Sequence, residues 1–101
     1  MALQTVIIDD MQSDRFFLRR QLHKVIADCE VKEFAYAEEA LRYLKTPGRE
    51  DVDLIFVDIN MPRMSGFDFA DAFEALYDEI KGTTRVHIVS SSINPDDEAK
   101  A

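Results

Sequence analysis

Three aspartates stand where they could do chemistry together. Asp9 and Asp10 follow the apolar run Thr5–Ile8, and Asp58 follows the run Leu54–Val57, after which the chain breaks off through Pro62 and Gly66. A single acid after a strand ordinarily caps a helix or sits in a solvated loop. An acid pair after one buried run and an acid after another form a different pattern. In open parallel sheets, ligands bind outside the carboxyl ends of the strands, where the strand order reverses. Adjacent strand ends would bring these three carboxylates into one shallow crevice, where they repel one another unless a cation compensates. Mg²⁺ suits such a set, because it prefers oxygen ligands, keeps several waters and binds through one or two carboxylates and a substrate phosphate. Asp58, held rigidly at a strand terminus, could also serve as a carboxylate nucleophile.

The elements needed to position these acids are legible. "TVII" at 5–8, "LIFV" at 54–57 and "VHIV" at 86–89 are continuous β-branched and apolar runs, as expected of strands covered on both faces of a parallel sheet. "EVKEFA" at 30–35 alternates more and reads as an outer strand. Between them lie helical patterns. Ser13 is the expected cap of a helix with an apolar stripe of Leu18, Leu22, Val25 and Ile26, ending near Asp28. A second helix, from Ala37 to Lys45, stops at "TPG". A third opens at Ser65 or Gly66, carries Phe69, Phe73, Leu76 and Ile80 toward the core, and closes at Gly82. "SINPDDEAKA" reads as a helix start with Asn94 as cap and Pro95 in the first position. The order βαβαβαβ predicts an α/β fold with a doubly wound parallel sheet. With the common strand order 2-1-3-4, strands one and three are neighbours and the acids converge.

Composition bounds the rest. A chain of 101 residues, 47% hydrophobic, has room for one small domain. Twenty acidic against twelve basic residues give a net charge of −8, and the scattered basic residues make no stripe for a phosphate backbone, so nucleic acid is not an expected partner. The one cysteine, Cys29, has no internal disulfide partner and reads as a reduced, buried thiol. No basic leader or run of 18 apolar residues is present, so the expectation is a cytoplasmic protein without a membrane segment. His23 and His87 are placed on a polar helix side and a strand face, and Met11, Met61 and Met64 at the rim of the crevice. Arg63 and Met64 fall in the loop after Asp58, where a protein partner could touch them.

"VIIDDM", "LIFVDINMPRMSG" and "HIVSSS" resemble, in order and spacing, the receiver domain of two-component response regulators. The likeness runs along the whole chain, 1–101, and the middle motif is its most specific part. It implies a flavodoxin-like sheet and a signalling switch, not a turnover enzyme. By the resemblance, a histidine kinase or phosphotransfer protein delivers a phosphoryl group to Asp58. Asp9 and Asp10 match the acids that hold Mg²⁺ directly or through water, with Asp58 and the backbone carbonyl of Asn60 completing the protein ligands. Ser90 matches the switch hydroxyl that bonds the phosphoryl oxygens, and its movement, carrying the adjoining loop and helix, would be read by a downstream protein. Pro62 and Gly66 match the loop after the phosphorylation site, and Asn60 and Ser92 match positions that influence how fast the phosphoryl is lost.

The sequence departs from the family where a fifth strand with a lysine, an aromatic switch residue and a fifth helix would follow. Lys100 comes too early to be that lysine. The expectation is therefore a receiver incomplete at its C-terminus, with strand four as a bare edge that invites a homodimer. Two other functions compete. A pseudo-receiver used only for docking would dispense with an acid or the hydroxyl, yet Asp9, Asp10, Asp58 and Ser90 are all present. A phosphatase of the haloacid dehalogenase superfamily would need a second aspartate two residues after the nucleophile, where Asn60 stands.

Overall fold

The computed structural model describes residues 2–59, 61 and 63–89. Its elements run β1 (Leu3–Ile8), α1 (Gln12–Val25), β2 (Cys29–Phe34), α2 (Ala37–Leu44), β3 (Leu54–Asp58), α3 (Gly66–Glu74), α4 (Asp78–Lys81) and β4 (Arg85–Val89). The sheet is parallel throughout, in the order β2-β1-β3-β4. Expected strands and observed strands agree within one or two residues, and the alternating segment is indeed the outer strand β2. The segment from Asn94 onward, expected to begin a helix, lies outside the described residues.

Side chains alternate across the sheet, so each strand divides its residues between two faces. Val6, Ile8, Ile55 and Val57 point to one face and meet Ala37, Ala40, Leu41 and Leu44 of α2 and Phe69 and Phe73 of α3 in the buried core. The Phe69 and Phe73 rings lie 6.3 Å apart at 22°. Helix α1 covers the opposite face. There Ile7 is fully buried, and polar contacts flank it: His23 Nε2 lies 2.9 Å from the Cys29 carbonyl, and Arg15 and Arg19 pair with Glu33. No α1 residue is buried, and Phe16, Phe17 and Val25 are 60%, 63% and 82% exposed. The expected apolar stripe on this helix is therefore only partly inward, with Leu18 and Leu22 half-buried and Val25 in solvent.

Two local expectations are corrected. Ser13 lies inside α1, whose N-cap is Met11; the Met11 N–H is held instead by Asp9 Oδ1 at 2.9 Å. The third helix is not continuous to Ile80 but splits into α3 and α4 at 75–77. Lys81 explains the split, because folding α4 back lets its ammonium donate to the Glu74 carbonyl at 3.1 Å, satisfying an open acceptor at the end of α3. Arg49 fastens the same region, donating to the Leu44 and Ile80 carbonyls. Gly82, at φ 52°, then closes α4 in a backbone region that favours glycine. Leu76 and Ile80 still pack against the core from the two short helices.

Among the described residues no helix is long and apolar enough to cross a membrane. The uneven packing of the two faces has a measurable consequence. Phe69→Ala is expected to lower unfolding stability by about 3–5 kcal/mol in a urea titration, because it opens a void in the sealed face. Phe17→Ala, on the exposed side of α1, is expected to stay within about 0.5 kcal/mol of the parent.

Candidate metal and phosphoryl site

The register of β1 against β3 pairs Ile8 with Val57, so the residues that follow, Asp9 and Asp58, emerge side by side at the carboxyl end of the sheet. Asp9 extends the ladder by one bond, its N–H donating to the Phe34 carbonyl at 3.0 Å. Asp58 is the last residue of β3 and pairs with Val89, and the next residue, Ile59, donates to the Val89 carbonyl at 2.8 Å. Both acids are thus built on regular backbone, and both are buried, at 4% and 2% exposure. Asp10 is more open. One carboxylate oxygen from each of Asp9, Asp10 and Asp58 lies within 4.8 Å of the others.

Sequence reasoning placed these three together, and the structure brings them together. Asn60 and Ser90, the other two expected site residues, lie outside the described residues, as do Pro62 and Ser92. Met61 and Met64 pack against the core, while Met11 is 53% exposed beside the acids.

The loop after Asp58 is held from several sides. Gly66 sits directly on the Asp58 backbone: a Cβ at this position would stand 2.6 Å from the Asp58 carbonyl oxygen. Its N–H donates to the Ile59 carbonyl at 3.1 Å. Ser65 caps α3 in a reciprocal box, its hydroxyl accepting from the Asp68 N–H at 3.1 Å while the Asp68 carboxylate accepts from the Ser65 N–H at 3.2 Å. Arg63 takes a left-handed backbone, φ 72°, uncommon for a residue with a side chain, and its guanidinium reaches Glu38 at 3.4 Å and lies over the Tyr36 ring. Arg63 thereby ties this loop to the start of α2.

The donor set is oxygen only, which fits a hard divalent ion and does not fit one that seeks sulfur or imidazole. Two of the donors project from strand ends, so little reorganisation is needed to present them. A groove of about 750 Å³ opens elsewhere, along β2 between His23, Lys32, Tyr43 and Arg49, and does not include the acids. One contributor escaped sequence reasoning. Arg15 donates from Nη1 to the Asp9 carbonyl at 2.6 Å, and its only sequence signal is an arginine one turn into the helix that follows the acid pair.

A family model of the response regulator receiver domain matches residues 5–101. The cyclic di-GMP phosphodiesterase response regulator RpfG of Xanthomonas campestris is 36% identical over 70 residues, which is 69% of this chain but 18% of that protein's length. Among solved structures, a two-component response regulator from Cytophaga hutchinsonii is 28% identical with a TM-score of 0.71, covering 99% of this chain and 77% of that one. A response regulator receiver protein from Dyadobacter fermentans is 26% identical with a TM-score of 0.75, covering 98% and 77%. The chemotaxis protein CheY4 of Vibrio cholerae is 25% identical with a TM-score of 0.73, covering 99% and 78%.

The contact between Gly66 and Asp58 gives a direct check. Gly66→Ala is expected to cost about 1–3 kcal/mol in a urea titration, because the new methyl meets backbone that cannot rotate away. Amide chemical shifts should change most at Asp58 and Ile59, and an unchanged spectrum there would show that the helix yields instead.

Proposed function

Because this chain belongs to the response regulator receiver family, we propose that it is a phosphoacceptor switch of a two-component system, receiving a phosphoryl group on Asp58 from a histidine kinase or phosphotransfer protein. The observation that carries this reading is the convergence of Asp9, Asp10 and Asp58 within 4.8 Å at the ends of adjacent parallel strands. An oxygen of the Asp58 carboxylate attacks the phosphorus of the phosphohistidine. The new O–P bond forms as the P–N bond breaks, and the departing imidazole keeps the electron pair. Asp58 is suited to this because a strand terminus fixes its direction of approach, and phosphoryl transfer depends chiefly on positioning and electrostatics.

Asp9, Asp10 and Asp58, with the backbone carbonyl of Asn60, are the residues that would hold Mg²⁺, which when bound supplies positive charge opposite the phosphoryl oxygens. Asp9 and Asp10 act by presenting their carboxylates to that ion, and Asp9 also shapes the loop through Met11. Ser90 is the proposed hydroxyl that bonds the phosphoryl group in the active form, altering the surface that a downstream protein reads. The state so produced is a labile acyl phosphate, appropriate for a switch and not for an enzyme that turns over a small substrate. The place of action is the cytoplasm. Among the described residues β4 is the last strand of the sheet, and its outer edge is the proposed surface for self-association, for which sedimentation at micromolar concentration is the check, a monomer counting against it.

Incubation with acetyl phosphate and Mg²⁺ tests the central claim by intact mass. One phosphoryl adduct is expected, which does not form when the metal is chelated beforehand and is absent in Asp58→Asn. A folded parent protein that gains no adduct would favour the docking-module alternative, in which the fold is kept without the transfer.

A further inference from the structure

We propose that Arg15 is a positioning residue for the Asp9–Asp10 pair, setting the orientation of the peptide that joins the two acids; the inference rests on reading those acids as a Mg²⁺ site. The carbonyl that receives Arg15 Nη1 at 2.6 Å is that of Asp9, and so belongs to the planar unit lying between the two side chains. Fixing the oxygen of that plane fixes the two Cα atoms from which the side chains leave, so that only ψ of Asp9 and φ of Asp10 remain to aim the carboxylates.

The fork is itself anchored. Arg15 Nε donates to Glu33 Oε1 at 3.1 Å, and the other oxygen of Glu33 accepts from Arg19 Nη1 at 3.1 Å. Glu33 stands on β2, paired in register with Ile7 of β1, so the anchor belongs to the same sheet that carries the acids. The Arg15 side chain is only 17% exposed although no residue of α1 is buried, so its place is set by these polar contacts.

The loop has a second fastening, the bond from the Met11 N–H to Asp9 Oδ1, but that one occupies a carboxylate oxygen. Arg15 holds the backbone and takes no carboxylate oxygen of the pair. Its charge is partly offset by Glu33, which it shares with Arg19, so it orders the site with less than a full positive charge facing the metal. A guanidinium can reach both acceptors at once because its donors diverge in one plane, whereas a lysine ammonium is a single point of charge.

The test compares the parent protein with Arg15→Gln, Arg15→Lys and Glu33→Gln, measuring Mg²⁺ affinity by calorimetry, melting temperature without metal, and phosphorylation rate by acetyl phosphate against Mg²⁺ concentration. Partners that orient metal ligands typically change affinity about 10-fold to 100-fold, and a loss near the lower end is expected for Arg15→Gln. Its metal-free melting temperature should hold, and its phosphorylation rate should return to the parent's at saturating Mg²⁺. Arg15→Lys should fail to restore affinity, and Glu33→Gln added to Arg15→Gln should cost nothing further, since the two act as one unit. Parent affinity in Arg15→Gln overturns the proposal, as does full rescue by lysine, which would assign the effect to charge alone. Affinity lost only in step with metal-free stability overturns it as well. If the parent protein binds no Mg²⁺, the reading of the site itself fails, an outcome distinct from a parent that binds and a variant that matches it.

Discussion

Three carboxylates held within 4.8 Å of one another repel, and the architecture of this protein can be understood as what keeps them there. Like charges this close oppose one another, least where the more open Asp10 takes part. The strain is carried by backbone: Asp9 and Asp58 continue β1 and β3, whose pairing is set four residues deep into the sheet. A cation bound among the three would reverse the sign of the same electrostatics.

The two faces of the sheet divide the labour. The face toward α2 and α3 is dry and tightly filled, and it ends at the site itself, since Gly66 at the start of α3 touches the Asp58 backbone with no room for a methyl group. Core packing is thereby transmitted to Asp58 without an intervening flexible segment. The α1 face is polar and partly open, its contacts made by Arg15, Arg19, His23 and Glu33. Phe16 and Phe17 stay exposed on this helix, with the Arg20 guanidinium over the Phe16 ring. Elements held by polar contacts reorganise at lower cost than a sealed core, so the acid pair borders the more adjustable side.

The loop between Asp58 and α3 shows the same balance between rigidity and stored strain. Its far end is fixed by the Ser65–Asp68 box, whereas Arg63 sits in an uncommon backbone region held by Glu38 and Tyr36. Strain of this kind persists only where neighbours impose it.

The amino-acid sequence by itself determined the strands, the helical segments between them and the acids that follow two of the strands. Those features follow from local chemistry: continuous β-branched runs, an alternating outer strand, Pro47 and Gly48 as a stop, and acids placed just beyond strand ends. Tertiary structure alone decided the remainder. Ser13 has the right chemistry for a cap, but the backbone starts the helix earlier because Asp9 takes the Met11 N–H. The spacing of Phe69, Phe73, Leu76 and Ile80 suits one long helix, yet Lys81 draws the chain back onto the end of α3 and two short helices serve the same core. Arg15 is one basic residue among several on α1, and only the packing of that helix over β1 and β2 puts its guanidinium between Glu33 and the Asp9 carbonyl. In each case the deciding partner is distant in sequence or competes for a donor that the sequence offers to more than one acceptor. Periodicity carries no information about such competition, because it is settled by geometry once the elements have packed.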